Sequence, residues 1–201
     1  MLTVFLLSPA NCAGTRAQLL LKSKTSPLTA RLANGGAPLG EVFTFMSGLY
    51  FRGKLAYANR FAEGGGQAYV ITPGRGLLPG DVLIRVEDLQ RMADIPVDAD
   101  EPRYLEPLLR DARALQKSLG VDGRAVLLGS VASAKYVTPL LEVFGERLYF
   151  PATFVGRGDM SRGGLMLRCA NAGTPLEYVP VQGAVLHGTR PPKLGPLPRH
   201  P

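Results

Sequence analysis

Four short clusters hold the serine, glycine, arginine and aspartate residues from which a chemical site could be built. The first is Ser8-Pro9-Ala10-Asn11, and the second runs from Thr72 to Asp81 with Arg75 and Gly76 inside it. The third runs from Gly129 to Tyr136 and contains Ser130, Ser133 and Lys135. The fourth runs from Gly156 to Gly164 and contains Arg157, Asp159 and Arg162. Glycine lets the main chain approach a ligand closely. The arginine fork matches phosphate or carboxylate, and a serine hydroxyl at a helix start sits where free N–H groups favour an anion. The candidate ligand-binding residues are therefore Ser8, Asn11, Arg75, Gly76, Ser130, Ser133, Lys135, Tyr136, Arg157 and Arg162. Asp81 and Asp159 are the carboxylates placed for general-base work. Each has a plainer reading beside the chemical one. Serine at a helix start is commonly a cap, aspartate after Gly80 is a common turn residue, and Asp159 has Arg157 and Arg162 to pair with.

The elements that must position these clusters follow from hydrophobic patterning. Val4–Leu7, Ala68–Thr72 and Ala125–Leu128 are short continuous apolar runs, as inner strands of a parallel sheet require. Leu148–Phe150, Leu165–Cys169 and Tyr178–Val181 are read as the remaining strands. Helices are expected at Thr15–Lys22, Gly48–Ala62, Glu101–Leu119 and Ser130–Phe144. The third of these places Leu105, Leu108, Leu109, Ala112 and Leu115 on one face and closes at Gly120. In the second, Arg52, Lys54 and Arg60 are read as the outer face, and the run Gly64-Gly65-Gly66 as its stop. Ser26–Gly40 is too rich in glycine and proline to assign. Strands alternating with helices predict an α/β fold: a mostly parallel or mixed central sheet with helices on both faces, in one domain over residues 1–189. Residues 190–201 hold five prolines and are read as an extended or disordered tail. Three of the four clusters then fall at the carboxyl ends of strands, where ligands bind in open α/β sheets. Ser8, Gly76, Ser133 and Arg157 are expected around one concave site.

Composition bounds the function classes. The chain has 201 residues, 46% of them hydrophobic and 19% charged, the profile of a folded globular protein. Two cysteines, Cys12 and Cys169, and two histidines, His187 and His200, leave little for a disulfide scaffold or a Cys/His metal site. Neither a metal nor a cofactor is expected. The first apolar run, Leu2–Leu7, has no basic residue before it and is too short for a signal peptide, and no run approaches a membrane span. A cytoplasmic location and no membrane partner are expected. The net charge of +7 is uneven. Residues 1–62 carry 7 basic and 1 acidic groups, residues 63–123 carry 7 and 11, and residues 124–201 carry 9 and 4. Basic flanks around an acidic middle suit a nucleic acid or nucleotide partner, or simply a solvated surface.

Two further groups invite a chemical reading. Cys12 follows the first strand, where a helix start could activate a thiol; a buried small hydrophobe is the plainer role. Tyr50, Phe51 and Tyr57 lie among Arg52, Lys54 and Arg60. That interleaving can stack unpaired bases, and aromatic core packing explains it equally.

The clusters also carry a resemblance. The chain resembles the YaaA family of peroxide-stress proteins, which opens with a strand followed by Ser-Pro-Ala-Lys, here Ser8-Pro9-Ala10-Asn11. The family's Gly-Leu-Tyr-Gly-x-Leu-x-Pro-x-Asp segment is echoed by Gly74-Arg75-Gly76-Leu77-Leu78-Pro79-Gly80-Asp81. Its Asn-Leu-Ala-Ser-x-Glu-Tyr segment is similar to Val131-Ala132-Ser133-Ala134-Lys135-Tyr136. Its Ala-Arg-Gly-x-Met-x-Arg segment is similar to Gly156-Arg157-Gly158-Asp159-Met160-Ser161-Arg162. The islands keep their order over residues 4–168. Two departures change the charge of the site: Asn11 stands for the family's lysine and Lys135 for its glutamate. The resemblance implies an α/β fold, a cytoplasmic location, DNA binding and a part in surviving oxidative damage. A fainter similarity to uracil-DNA glycosylase-like folds rests on strand, Gly-Ser and helix alone. The expected function is thus nucleic-acid binding linked to DNA damage. The alternative is an enzyme acting on a nucleobase or nucleotide, such as glycosidic cleavage, with Asp81 or Asp159 as base.

Overall fold

The uninterrupted apolar runs become the inner strands. The structure is a computed structural model that describes residues 2–23, 25–62 and 67–195. Strands β1 (Thr3–Leu7), β3 (Ala68–Thr72), β6 (Arg124–Leu128) and β7 (Leu148–Pro151) lie parallel in the spatial order β3-β1-β6-β7. The register sets Phe5 beside Ala68 on one side and Val126 on the other. Strands β4 (Gly76–Pro79) and β8 (Tyr178–Pro180) add antiparallel to the two edges, giving the order β4-β3-β1-β6-β7-β8. A separate two-stranded ribbon pairs β2 (Ala37–Pro38) with β5 (Leu83–Ile84). Val4–Leu7 in β1 and Ala125–Leu128 in β6 are buried, as central strands covered on both faces must be.

Helices flank this sheet: α1 (Thr15–Lys22), α2 (Pro27–Ala33), α3 (Leu39–Ser47), α4 (Leu49–Phe61), α5 (Val86–Ala93), α6 (Pro102–Ser118), α7 (Ala134–Phe144) and α8 (Asp159–Ala172). The fold is α/β, with a mostly parallel mixed sheet and helices on both faces, as the alternation of patterns predicts. α4 pairs with α8, and α6 pairs with α7. Chain order reverses beside β1: the path first goes to β3 on one side, then crosses to β6 on the other. The carboxyl ends of β1 and β6 therefore border the crevice where such folds bind ligands.

Three readings of the sequence change. Leu165–Cys169 is not a strand but the middle of α8, which begins at Asp159 and ends at Gly173 in the left-handed region, φ +68°. Its glycines belong to helix packing rather than to a loop. A Cβ on Gly163 would meet the Leu49 carbonyl at 2.6 Å, and one on Gly53 would meet the Gly163 carbonyl at 2.4 Å. α4 and α8 thus touch backbone to backbone, which only glycine at the crossing permits. The second change is the face of α4. Its buried side is Tyr50, Phe51, Gly53, Lys54, Tyr57 and Ala58, so Lys54 points inward rather than to solvent. The third is Ser26–Gly40, which holds α2, capped by Ser26 accepting from the Thr29 N–H, and then β2.

The glycine run 64–66, read as the stop of α4, lies outside the described residues. Of the tail, residues 190–195 have no regular secondary structure and run along α8, where Arg168 donates to the Gly195 carbonyl. Residues 196–201 lie outside the described part. Among the described residues no helix is long and apolar enough to cross a membrane.

Candidate functional site

The crevice at the ends of β1 and β6 opens into a cavity of about 710 Å³. Ser8, Asn11 and Cys12 border it from the loop after β1, and Ser130, Ser133, Lys135 and Tyr136 from the turn into α7. Asp159 at the start of α8, Pro73 after β3, Tyr50 on α4 and the segment from Met92 to Val97 complete the wall. Seven of the twelve candidates thus share one site: Ser8, Asn11, Ser130, Ser133, Lys135, Tyr136 and Asp159. Alternation of strand and helix brought the first and third clusters together, as open-sheet topology requires.

The other five lie elsewhere, each for a structural reason. Arg75 and Gly76 form the hairpin between β3 and β4. Gly76 has φ +67°, and a Cβ there would sit 2.1 Å from the Asp111 carboxylate on α6. Thr72 Oγ1 donates to the Gly76 carbonyl at 2.8 Å, and Arg75 reaches Asp88 at 3.2 Å as an ion pair rather than an aligned hydrogen bond. Asp81 is exposed and borders a different groove of about 650 Å³, with Gly40, Glu41 and Asn59. Arg157 donates to the Thr153 carbonyl and the Ser161 hydroxyl and borders a third hollow with the tail. Arg162 is buried behind the cavity wall. It donates to the Phe154 carbonyl at 3.2 and 3.3 Å and to Asp159 Oδ1 at 3.4 Å. The four-residue expectation is corrected accordingly: Ser8 and Ser133 meet, whereas Gly76 and Arg157 do not join them.

Behind the cavity lies a polar group that patterning assigned to solvent. Lys54 is fully buried, and its Nζ donates to the Ser8 carbonyl at 2.6 Å. The same Nζ lies 3.0 Å from Ser8 Oγ and over the rings of Tyr50 and Phe51, at 4.2 and 4.8 Å. No ion pair among the described residues includes Lys54. Desolvation favours the neutral amine and brings its pKa down to about 7; Asp159 pulls upward and Arg162 pushes further down. The Tyr50 hydroxyl is buried and meets neither Ser8 nor Arg162 in hydrogen-bond geometry, although both side chains stand close enough to act on it. Burial pushes its pKa up to about 12, so it is a hydrogen-bond donor at neutral pH. The Cys12 thiol is buried, donates weakly to the Ala10 carbonyl, and is pushed up to about 12 by desolvation. Such a thiol is inert as a nucleophile.

Charge at the rim is set by helix starts. α7 starts just after Ser133 and α1 just after Gly14, and neither start has a side-chain cap or an acidic residue in its first turn. α8 also lacks a side-chain cap, but Asp159 stands in its first turn. The α7 start, carrying Lys135 at the rim, therefore favours an anion. Tyr136 adds a largely buried ring beside it.

Tyr50, Lys54, Tyr57 and Ala58 recur at helical spacing with Phe51 and Phe61. That stripe was the signal in the sequence that Lys54 lies on the inner face. The wall from Met92 to Val97 left no such signal. No family model, curated protein or solved structure matches the chain, so the likeness to the YaaA family stands on its four short segments.

Proposed function

We propose that the chain binds a nucleotide or nucleobase in the cavity between β1 and β6. The observation that carries this reading is the α7 start: uncapped, without an acidic first turn, and opening into a cavity lined by Lys135, Ser133 and Tyr136. A phosphate belongs at such a helix start and a base against the Tyr136 ring. The volume, about 710 Å³, is that of an ordinary small-molecule site. Seating a whole duplex needs a long positive surface instead. DNA binding linked to oxidative damage is the second reading, favoured by the basic flanks on either side of an acidic middle.

Thermal shift over nucleobases, nucleoside monophosphates and short duplex DNA separates the two. A nucleotide at 100 times its Kd adds about 2.7 kcal/mol of stability, a clear rise in Tm. Stabilisation by duplex alone, falling steeply between about 50 and 200 mM salt, would replace the first reading with the second. No rise with any of them removes both.

A further inference from the structure

Ser8 and Lys54 bring a hydroxyl and a buried amine within 3.0 Å of each other at the wall of the cavity. We propose that Ser8 is a nucleophile and Lys54 its general base, so that the cavity cleaves or transfers an acyl group from an ester or amide.

Four observations support it. Ser8 ends the central strand at the crevice and borders the cavity, with its Oγ 3.0 Å from Lys54 Nζ. Lys54 is fully buried and takes part in no ion pair among the described residues. Burial without an ion-pair partner favours the neutral amine, which above about pH 7 has a lone pair to offer the serine hydroxyl. The neutral amine still has two N–H bonds, one of which holds the Ser8 carbonyl at 2.6 Å and fixes the pair. Gly129 makes the room: a Cβ there would lie 2.9 Å from Ser8 Cβ and 3.1 Å from its Oγ. Finally, Tyr50 is 93% buried, borders the same cavity, and its hydroxyl has no hydrogen-bond partner among the described residues. It is the donor left over for a developing oxyanion.

The step balances. Ser8 Oγ bonds to the carbonyl carbon while its proton passes to Lys54 Nζ, and the carbonyl π pair moves onto oxygen, where Tyr50 donates. Collapse of that intermediate breaks the bond to the alcohol or amine, which takes the proton from the Lys54 ammonium. Water then attacks the acyl group on Ser8 and gives a proton to Lys54. The C–Oγ bond breaks, and Ser8 recovers its proton from Lys54. The groups facing Lys54 are Tyr50 and Phe51 on its own helix, Ser8 on β1, and Asp159 and Arg162 on α8. Their opposed effects leave burial as the dominant one, with a pKa near 7.

The inference is independent of which ligand the cavity takes. Its test uses the full chain, a fluorophosphonate and phenylmethanesulfonyl fluoride, read by intact mass and peptide mapping. The expected result is one adduct on Ser8, formed with loss of fluoride, at a rate that rises with pH through about 7 as Lys54 loses its proton. Ser8→Ala takes no adduct. Lys54→Met, confirmed as folded by its melting curve, reacts about 10²–10⁴-fold more slowly. If that variant does not fold, the pH profile of the unsubstituted chain decides alone. An unmodified Ser8 with both probes overturns the dyad, as does a rate flat across neutral pH or unchanged in folded Lys54→Met. Nucleotide binding with an unreactive Ser8 would remove the dyad alone. An adduct on Ser8 without nucleotide binding would remove the ligand reading alone.

Discussion

The β1/β6 crevice and the β3–β4 hairpin carry the same residue types at strand ends, yet they treat their polar groups in opposite ways. At the hairpin most are engaged internally, although the buried Arg75 Nη1 meets Asp88 only as an ion pair, without an aligned hydrogen bond. Thr72 holds the Gly76 carbonyl, Asp111 accepts the Leu77 N–H at 3.0 Å, and Arg75 faces Asp88. At the crevice they are left over. Among the described residues the Tyr50 hydroxyl has no hydrogen-bond partner, Lys54 is held by Ser8 but has no ion pair, and the α7 start has no side-chain cap. Buried polar groups are normally satisfied; of the two buried side-chain atoms left without a hydrogen bond among the described residues, Arg75 Nη1 has Asp88 beside it, whereas the Tyr50 hydroxyl belongs to a residue bordering the cavity. A glycine and an arginine beside a strand do not make a site; a polar group left without a hydrogen bond at a cavity wall is a better guide.

The largest effect expected concerns what holds the crevice together. Gly163→Leu places a side chain where the Leu49 carbonyl lies 2.6 Å from an ideal Cβ, and it should prevent folding or remove most of the cooperative transition. Gly163→Ala should cost about 1–3 kcal/mol, the usual penalty of overpacking, read by denaturant titration. A Gly129→Ala variant tests the same principle at the Ser8 side of the cavity.

The next effect is on pH dependence. Lys54 has a folded pKa near 7 against 10.5 for the free side chain, so between those values the unfolded chain binds more protons. Stability therefore rises with pH from about 7 upward, by at most about 1.4 kcal/mol per pH unit from this one group. Below about pH 7 both states are protonated and the slope from Lys54 vanishes. Above about pH 9 the buried Cys12 and Tyr50, whose pKa values are raised when folded, act in the opposite direction. Lys54→Met should flatten the rise between pH 7 and pH 9. An unaltered slope in that variant would mean that Lys54 is charged in the folded chain.

Smaller still is Tyr50→Phe. Removing a buried hydroxyl without a partner should leave stability unchanged or raise it by about 1 kcal/mol, while weakening a ligand that accepts from it. Arg75→Ala marks the bottom of the scale. Its ion pair is partly exposed, so the loss should stay within about 1 kcal/mol and leave ligand binding untouched.

What could be read in the sequence follows the same division. Apolar runs showed β1, β3, β6 and β7 because burial on both faces needs no alternation. The one-sided leucine stripe showed α6. Those elements were enough to bring Ser8 and Ser133 together. Lys54 was misassigned because a lysine ordinarily signals solvent, although its spacing with Tyr50 and Tyr57 placed it inward. α8 was hidden because two glycines and the run Leu165-Met166-Leu167 look like a loop followed by a strand. Its helical state comes from packing against Gly53, a contact distant in sequence. The hairpin misled for a related reason. Asp88 and Asp111, the groups that engage its polar atoms, lie on α5 and α6, and local patterning cannot pair residues that tertiary structure brings together.

Calorimetric titration of a nucleoside monophosphate into the chain and four variants tests most directly whether the crevice, and not the hairpin, is the site. Lys135→Ala and Tyr50→Phe should each weaken binding, Lys135→Ala by about tenfold or more for the loss of a charged contact. Arg75→Ala and Asp81→Ala should bind as the unsubstituted chain does. Binding that survives both crevice substitutions and is lost with either of the other two would contradict the account.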